Sequence, residues 1–383
     1  MTGVQATADG KTYKNTYTYE NDRLKTVSHN TTGDTPDVTY TFSYDALGSR
    51  TTVKVGTQTL STNVYEADRA RNLQRVDYGN GGKVRYAYDE FDRLTAVSYD
   101  GSDPVTNPRY KYEYGANGQS AHVVDTELNR TQWTEYDQAM RPIQANTFAN
   151  DASGKPATLL YRTALKYDKF NNLIKFQERA NGVDQATEYN YDNDNRTTKV
   201  AFRSSGAIRG LEYGYDDVNR VATIKRGTAS IASSNAITVT ENTALGTVYT
   251  FYPGDTTLYG AGATTSLVAS IASGTGSNAM NFAYTYDDTG NILSEIRDGS
   301  ATTYAYDGLG QLIRVNDPHQ STTWTYEYDR GGNILNKRRY AYTTGTLGTV
   351  LETVAYTYGD SNWKDKLTSY NGSVITYDAI GNP

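Results

Sequence analysis

The chain has 383 residues, enough for two or three ordinary domains or for one large β domain. Its formal net charge is −6 and its lysines and arginines are scattered, which argues against a nucleic-acid-binding surface. It contains no cysteine, so disulfides and thiolate metal sites are excluded, and no apolar run approaches the length of a membrane span. Tyrosine is abundant at 35 residues, which favours a thin sheet with water near both faces over a thick apolar core.

A tyrosine-centred phrase recurs along the whole chain. Aligned on its second tyrosine, the phrase occurs fourteen times, with most copies 19 to 26 residues apart. The aligned residues are Tyr19, Tyr44, Tyr65, Tyr88, Tyr114, Tyr136, Tyr167, Tyr191, Tyr215, Tyr286, Tyr306, Tyr328, Tyr358 and Tyr377. An aspartate follows this tyrosine in ten copies. Since a catalytic carboxylate would not usually be repeated ten times, we interpret the aspartate as structural.

The residue four positions after the second tyrosine predicts a turn. Ten copies place there a residue type that accepts a left-handed backbone, namely Gly48, Asp92, Gly118, Asn171, Asn195, Asn219, Gly290, Gly310, Gly332 and Gly381. An aspartate that caps its own turn, followed by a type I turn and a left-handed residue, is typical of a hairpin connection. The predicted structural motif comprises Tyr44, Asp45, Gly48, Tyr88, Asp89, Tyr167, Asp168, Tyr191, Asp192, Tyr215, Asp216, Tyr286, Asp287, Gly290, Tyr306, Asp307, Gly310, Tyr328, Asp329, Gly332, Tyr377, Asp378 and Gly381.

A second row of turns lies between these motifs. The pairs Asn80-Gly81, Asp100-Gly101, Asn181-Gly182, Asp298-Gly299 and Asn371-Gly372 favour tight two-residue hairpins. From Asp298-Gly299 to Asp307 there is room for one strand of about seven residues. The sequence therefore predicts an all-β fold, an antiparallel hairpin meander with almost no helix and more than half of its residues in strands.

The size of the meander predicts its curvature. Sixteen repeats of two strands give about 32 strands, and so large a sheet must curl or split. We expect residues 1–383 to form a single repeat domain, coiled into a large curved sheet, a spiral or a hollow shell. The stretch 225–281 departs from the repeat and is either degenerate repeats, such as "AITVTEN" and "TVYTFYPGD", or an inserted loop.

The repeated phrase resembles a known family. Segments such as "YAYDEFDRLTAV", "YGYDDVNRVATI" and "YDGLGQLIRV" are similar to the YD or Rhs repeat of bacterial Rhs polymorphic toxins, the C component of Tc toxins, and teneurins. The resemblance covers about residues 13–383. It implies a spiralling β-sheet shell, which in the toxins encloses a C-terminal cargo domain and releases it after self-cleavage.

Two features of that family are missing from the sequence. Its core signature, a paired Asp-Pro-x-Gly, is absent, because Asp103-Pro104 and Asp317-Pro318 lack the following glycine. The chain also stops within a repeat, at "YDAIGNP", so we expect it to be a segment of a longer shell protein. Self-cleavage and toxicity are therefore not carried over to this chain.

No residues predict a catalytic, cofactor-binding or metal site. The histidines His29, His122 and His319 fall in different repeats and are interpreted as surface or loop residues. Asp192–Arg196 resembles the start of a calcium loop, but the required glycine and glutamate are replaced, so a turn is favoured. Gly260–Ser266 lacks the lysine of a phosphate-binding loop and is interpreted as a linker.

These features support two hypotheses about function. The first is a non-enzymatic scaffold, part of an extracellular or cell-surface shell that encloses or displays a cargo such as a C-terminal toxin. The second is a carbohydrate-binding adhesin that presents its tyrosine-rich face to glycans. An open meander leaves edge strands unpaired, near Tyr13–Tyr19 and Val374–Tyr377. The expected partners are thus neighbouring repeats of a parent chain, or other copies joined edge to edge.

Overall fold

A computed structural model describes residues 2–8, 10–67, 70–204, 206–259, 262–276 and 279–383. Strands make up 59% of the structure. Helical structure is slight in the described ranges and includes a short 3-10 helix, Thr243–Leu245, and one α-helical turn, α1 (Thr256–Tyr259). The predicted all-β antiparallel fold is therefore confirmed, and the 31 strands of the described chain agree with the expected number.

The chain divides into two compact units. Unit 1 comprises Met1–Pro108, Tyr286–Ser294 and Ser300–Pro383, and unit 2 comprises Arg109–Thr285 and Glu295–Gly299. Both units are built from the same kind of hairpin. That residues 1–383 form a single repeat domain stays a prediction.

Unit 1 contains two runs of strands, each paired antiparallel in chain order. The first run is β1 (Gly3–Ala8), β2 (Lys11–Glu20), β3 (Arg23–His29), β4 (Val38–Tyr44), β5 (Arg50–Val55), β6 (Gln58–Tyr65), β7 (Leu73–Tyr78), β8 (Lys83–Tyr88) and β9 (Leu94–Tyr99). The second run, numbered in chain order, is β25 (Ser300–Tyr306), β26 (Leu312–Asp317), β27 (Thr322–Tyr328), β28 (Ile334–Ala341), β29 (Glu352–Thr357), β30 (Ser369–Tyr370) and β31 (Ser373–Val374).

Unit 2 contains β10 (Tyr110–Tyr114), β11 (Ser120–Asp125), β12 (Arg130–Tyr136), β13 (Pro142–Asn150), β14 (Pro156–Tyr167), β15 (Leu173–Ala180), β16 (Val183–Tyr191), β17 (Thr197–Ser204), β18 (Ala207–Tyr215), β19 (Val221–Ile231), β20 (Ile237–Glu241), β21 (Thr247–Pro253), β22 (Thr264–Ser273) and all but the last residue of β23 (Met280–Tyr286). Strand β24 (Ile292–Arg297) is divided between the units at Ser294. The stretch 225–281 is thus largely strand. Its long strand β19 pairs through one end with β20 and through the other with β21.

The second row of turns has the backbone that a two-residue hairpin requires. In four of the five predicted pairs, Asp100-Gly101, Asn181-Gly182, Asp298-Gly299 and Asn371-Gly372, both residues have positive φ. Asn80-Gly81 differs, because only Gly81 has positive φ and the Tyr78 amide donates to the carbonyl of Gly82. The strand predicted after Asp298-Gly299 is the seven-residue β25.

The first of the two predicted edge strands needs correction. Strand β2, which includes Tyr13–Tyr19, pairs with β1 on one side and with β3 on the other, so it is not an edge. The segment "GVQATA" of β1 was overlooked because it carries no tyrosine motif. The other predicted edge stays a prediction: Ser373–Val374 pairs with β30, and the following residues form another turn.

Burial is concentrated where strands meet turns. Most large apolar side chains remain partly exposed, as expected for a thin sheet. Val38, the first residue of β4, and Val55, the last residue of β5, are fully buried. Both lie next to the second row of turns of unit 1. The tightest packing of unit 1 is therefore at this row.

Candidate functional site

The tyrosine–aspartate motifs form a row of near-identical turns. In the turn at Asp307, the carboxylate accepts hydrogen bonds from the amides of Leu309 and Gln311, both at 2.9 Å. The Asp307 amide donates to the Gln311 carbonyl at 2.9 Å, and the Gly310 amide donates to the Asp307 carbonyl at 3.0 Å. The carboxylate therefore supplies the acceptors that the strand ladder cannot provide at a turn.

The same arrangement recurs at Asp45, Asp89, Asp137, Asp168, Asp192, Asp216, Asp287, Asp329 and Asp378. All ten residues selected for a left-handed backbone have positive φ, including Gly310 at 77° and Asn171 at 71°. Met140 takes the same position with φ of 64°, and sequence reasoning missed it because methionine rarely adopts this conformation.

The second tyrosine of the motif joins neighbouring strands beside the turn. The Tyr191 hydroxyl donates to the Leu173 carbonyl at 2.8 Å, and the Tyr215 hydroxyl donates to the Thr197 carbonyl at 2.7 Å. Equivalent bonds are made by Tyr44, Tyr65, Tyr88, Tyr136, Tyr167, Tyr306, Tyr328 and Tyr358. We call this bond the tyrosine clasp. It closes the open end of one hairpin next to the turn of the following hairpin.

The residue four positions after the aspartate links successive turns. Arg141 pairs with Asp137, donates to the Asn171 side chain at 3.2 Å, and lies 4.6 Å from the ring centroid of Tyr167. Arg196 repeats the arrangement over Tyr215 at 4.7 Å. Stacking of a guanidinium on a tyrosine ring is favourable, so these rings are covered by the protein's own arginines.

Asp287 and Asp137 show how the turn holds a carboxylate in its ionised form. Hydrogen bonds from the side chains of Asn291 and Thr289 lower the pKa of Asp287 to about 2. The hydrogen bond from Arg141 likewise lowers the pKa of Asp137. At neutral pH these two carboxylates accept hydrogen bonds and have no proton to give, so they are unsuited to general acid catalysis.

In unit 1 the second row of turns from the first run of strands meets the tyrosine–aspartate row of the second run. We call this contact the seam. The Arg330 amide donates to the Thr31 carbonyl at 2.9 Å, and the Arg330 side chain pairs with Asp34. At the other end of the seam, the Asn80 side chain donates to the Asp378 carboxylate at 2.8 Å. The Asn80 side chain thus contributes to the seam, and Asn80 is the first residue of the one predicted pair in which only the glycine has positive φ.

A carboxylate lies at the centre of the seam. Asp365 accepts hydrogen bonds from His29 at 2.9 Å and from the Tyr40 hydroxyl at 3.3 Å. The Trp363 indole donates to the same hydroxyl at 3.0 Å, and Lys364 pairs with Asp37 at 2.9 Å. These contacts fix the segment after β29 against β3 and β4.

The histidine of this cluster is not the surface residue that was expected. Its side chain is only 16% exposed, and the hydrogen bond to Asp365 raises the pKa of His29 against the opposing effect of burial. Nearby Asp37 and Asp329 act in the same direction. Burial pushes the pKa of Asp365 upward, but its bonds to His29, Asn333 and Tyr40 lower it overall. His29 and Asp365 are therefore a coupled ion pair.

The other candidate residues do not converge. His122 pairs with Glu113 in unit 2 at 2.7 Å, and His319 lies exposed in a turn of unit 1. Asp192–Arg196 forms a turn of the repeated type. Gly260–Ser266 begins outside the described residues, and Thr264–Ser266 belong to β22. No cluster of His, Asp and Glu suited to a metal ion occurs in the described parts of the chain.

A further feature of unit 1 with binding potential is an open cavity of about 530 Å³. Its lining includes the rings of Tyr328, Tyr356 and Tyr358, together with Lys11 and Thr31. The hydroxyls of Tyr328 and Tyr358 are already used in tyrosine clasps, so the ring faces are what these two residues offer to a ligand.

Within the described ranges, no helix is both long and apolar enough to cross a bilayer.

Comparison with known proteins places these features in context. The family model described as RHS Repeat matches residues 286–322 and 306–344. A second family model, described as an uncharacterised protein, matches residues 75–227. A search of curated proteins gave no match.

Several solved structures are similar in fold. A crystal structure of TcdB2-TccC3-TEV gives a TM-score of 0.71 at 16% identity, covering 97% of this chain and 20% of the other. A structure of TcdB2-TccC3 without its hypervariable C-terminal region gives 0.71 at 15% identity, covering 96% and 19%. The Tc holotoxin pore of Photorhabdus luminescens gives 0.65 at 15% identity, covering 97% and 21%. Thus the chain spans about one fifth of the matched chains, and identities this low show a shared fold.

Proposed function

Because the chain belongs to the Rhs/YD-repeat family, we propose that this structural scaffold is part of an extracellular or cell-surface shell that encloses or displays a cargo. A C-terminal toxin domain of the parent protein is one such cargo. The proposal is supported chiefly by the tyrosine clasp, because in this bond the most distinctive residue of the repeat joins two neighbouring strands.

A wall requires the same contacts at every repeat, whereas a catalytic site requires different residues to converge at one place. Here the aspartate, the left-handed residue and the tyrosine play the same parts in successive hairpins. The carboxylates are committed to backbone amides. We therefore propose that the chain is not an enzyme and acts through its architecture.

Because these 383 residues contain no cysteine, one introduced here is unique within them, and the test is made in the intact gene product after any cysteines elsewhere in it have been replaced. Gln132 and Glu135 lie three positions apart on β12, so their side chains point to opposite faces of the sheet. Gln132→Cys and Glu135→Cys are each treated with a small maleimide and with a large polymer-linked maleimide. A shell predicts that both cysteines react with the small reagent and only one with the large reagent. Equal reaction of both with the large reagent would show that neither face is enclosed.

The second candidate function is glycan binding by an adhesin. It is favoured by the tyrosine-lined cavity of unit 1, because aromatic faces beside hydroxyl and charged groups suit a sugar ring. Tyr356 is the residue to test, since its ring lines the cavity and its hydroxyl makes none of the clasps described above. A glycan array should detect no specific binding if the scaffold reading holds. Micromolar binding that is lost in a folded Tyr356→Ala variant would establish the adhesin instead.

A further inference from the structure

Two apolar borders of unit 1 are left uncovered. The first, which we call the turn rim, consists of Leu47 and Phe91, at the tips of the turns that begin at Asp45 and Asp89. Leu47 is 72% exposed and Phe91 is 67% exposed. The second, the loop rim, is the connection 342–351 between β28 and β29, where Tyr342, Val350 and Leu351 are exposed. Residues 342–351 include no charged side chain.

The seam shows what a turn tip does when it is covered. Ile380 has the same place in its turn as Leu47 has in its own, two residues after the aspartate. Its methyl group lies close to Gly79 in the opposing row, and a side chain at Gly79 would overlap the Thr59 carbonyl. Gly331 has the equivalent place in the turn of Asp329 and lies against Thr31. Each turn tip therefore seats against a turn of the second row.

The two rims are the unused halves of this same contact. In the seam, the second-row turns of the first run of strands meet the tyrosine–aspartate turns of the second run. The turn rim belongs to the tyrosine–aspartate row of the first run, and the loop rim belongs to the second row of the second run. One molecule consequently has exposed turn tips in the turn rim and, in the loop rim, an exposed surface of the second row, against which turn tips pack in the seam.

We propose that the turn rim of one molecule docks against the loop rim of a second copy of this chain. The contact repeats the seam between molecules and is heterologous, since different surfaces meet. Exposed leucine and phenylalanine side chains gain from such burial. Residues 342–351 bring no charged side chain of their own, and the Arg314 guanidinium beside them already donates to the carbonyls of Thr343 and Gly345 at 2.8 Å. Copies of the chain thus associate head to tail through turn tips, without strand pairing.

Association is tested on the full 383-residue chain by sedimentation velocity over a range of protein concentrations. The wild type should sediment faster as its concentration rises, with little dependence on salt. A turn-rim variant, Leu47→Ser with Phe91→Ser, and a loop-rim variant, Val350→Ser with Leu351→Ser, should each weaken association at least tenfold. Leu128→Ser removes an apolar side chain of unit 2 that is 56% exposed, and it should associate like the wild type.

Mixing the two rim variants gives the sharpest result. The turn-rim variant retains an intact loop rim, and the loop-rim variant retains an intact turn rim. An equimolar mixture should therefore form capped one-to-one dimers, although neither variant assembles alone. Circular dichroism on both variants, with unchanged strand signal, establishes that they are folded.

Three results would overturn the proposal. A wild type that stays monomeric at every concentration leaves no association to explain. Assembly that persists in both rim variants would assign it to strand edges such as β1. Failure of the mixture to form dimers, with both variants folded, would show that the two rims do not recognise each other.

Discussion

Removal of the clasp hydroxyls should weaken unit 2 without changing its shape. The double variant Tyr191→Phe, Tyr215→Phe loses two hydroxyls that donate to the carbonyls of Leu173 and Thr197 at 2.8 and 2.7 Å. Each ring remains in place to pack against its neighbours. The change therefore isolates the hydrogen bonds from the apolar contacts of the same residues.

The expected loss follows from the number of bonds removed. One neutral hydrogen bond contributes about 1 kcal/mol, and a carbonyl left without its partner adds to the loss. The two clasps share neither donor nor acceptor, so their effects should add to about 2 kcal/mol. Since a factor of ten corresponds to about 1.4 kcal/mol, opening of the local structure should become roughly 30-fold more frequent.

Hydrogen exchange of the amides in β15 to β18, measured by mass spectrometry, detects this opening directly. The matched control is Tyr189→Phe with Tyr213→Phe, at the first tyrosine of the same two motifs. These hydroxyls have no hydrogen-bond partner among the residues that the structure describes. Equal acceleration in both double variants, or none in either, would refute the view that the clasps hold the turn row together.

Two further predictions concern a turn and the seam. Gly310→Val should destabilise its hairpin by roughly 1–3 kcal/mol because of its positive φ, whereas Gly310→Asn should be tolerated, and thermal unfolding compares them. Asp307→Ala should cost about 1 kcal/mol through loss of the turn cap, and equal, negligible effects of Val and Ala would contradict the turn geometry. Because the pKa of His29 is raised and that of Asp365 is lowered, their pair should stabilise the seam fully between about pH 4 and 6.5. This stability should fade as the pH rises through the folded pKa of His29, and again in acid as it falls through that of Asp365. Hydrogen exchange at the seam measures it, and His29→Gln should remove the loss on the alkaline side.

The turns could be predicted from sequence because their causes are local. The cap and the left-handed residue, as in Asp307 and Gly310, lie within five successive residues, so one short window contains the whole interaction. The abundance of tyrosine was attributed to its fit to a thin sheet, which is part of the explanation. The sequence does not indicate the acceptor of its hydroxyl, because that carbonyl lies on the preceding strand, 18 positions away in the case of Tyr191.

The seam could not be predicted, because nothing in the sequence near His29 indicates Asp365. The two residues are 336 positions apart, and their contact depends on how many hairpins lie between them. Burial of His29 follows from this contact and not from its own strand. The same reason explains why Asn80-Gly81 was expected to be an ordinary tight turn.

The large sequence separation across the seam also has a kinetic consequence. Nearly all strand pairs of the fold join neighbours along the chain, so hairpins can form independently and extend from many starting points. Contacts between His29 and Asp365 must instead wait until both runs of unit 1 are in place, because closing so long a loop early has a high entropic cost. Refolding should accordingly show a fast phase of strand formation, followed by a slower phase in which Trp363 becomes ordered against Tyr40.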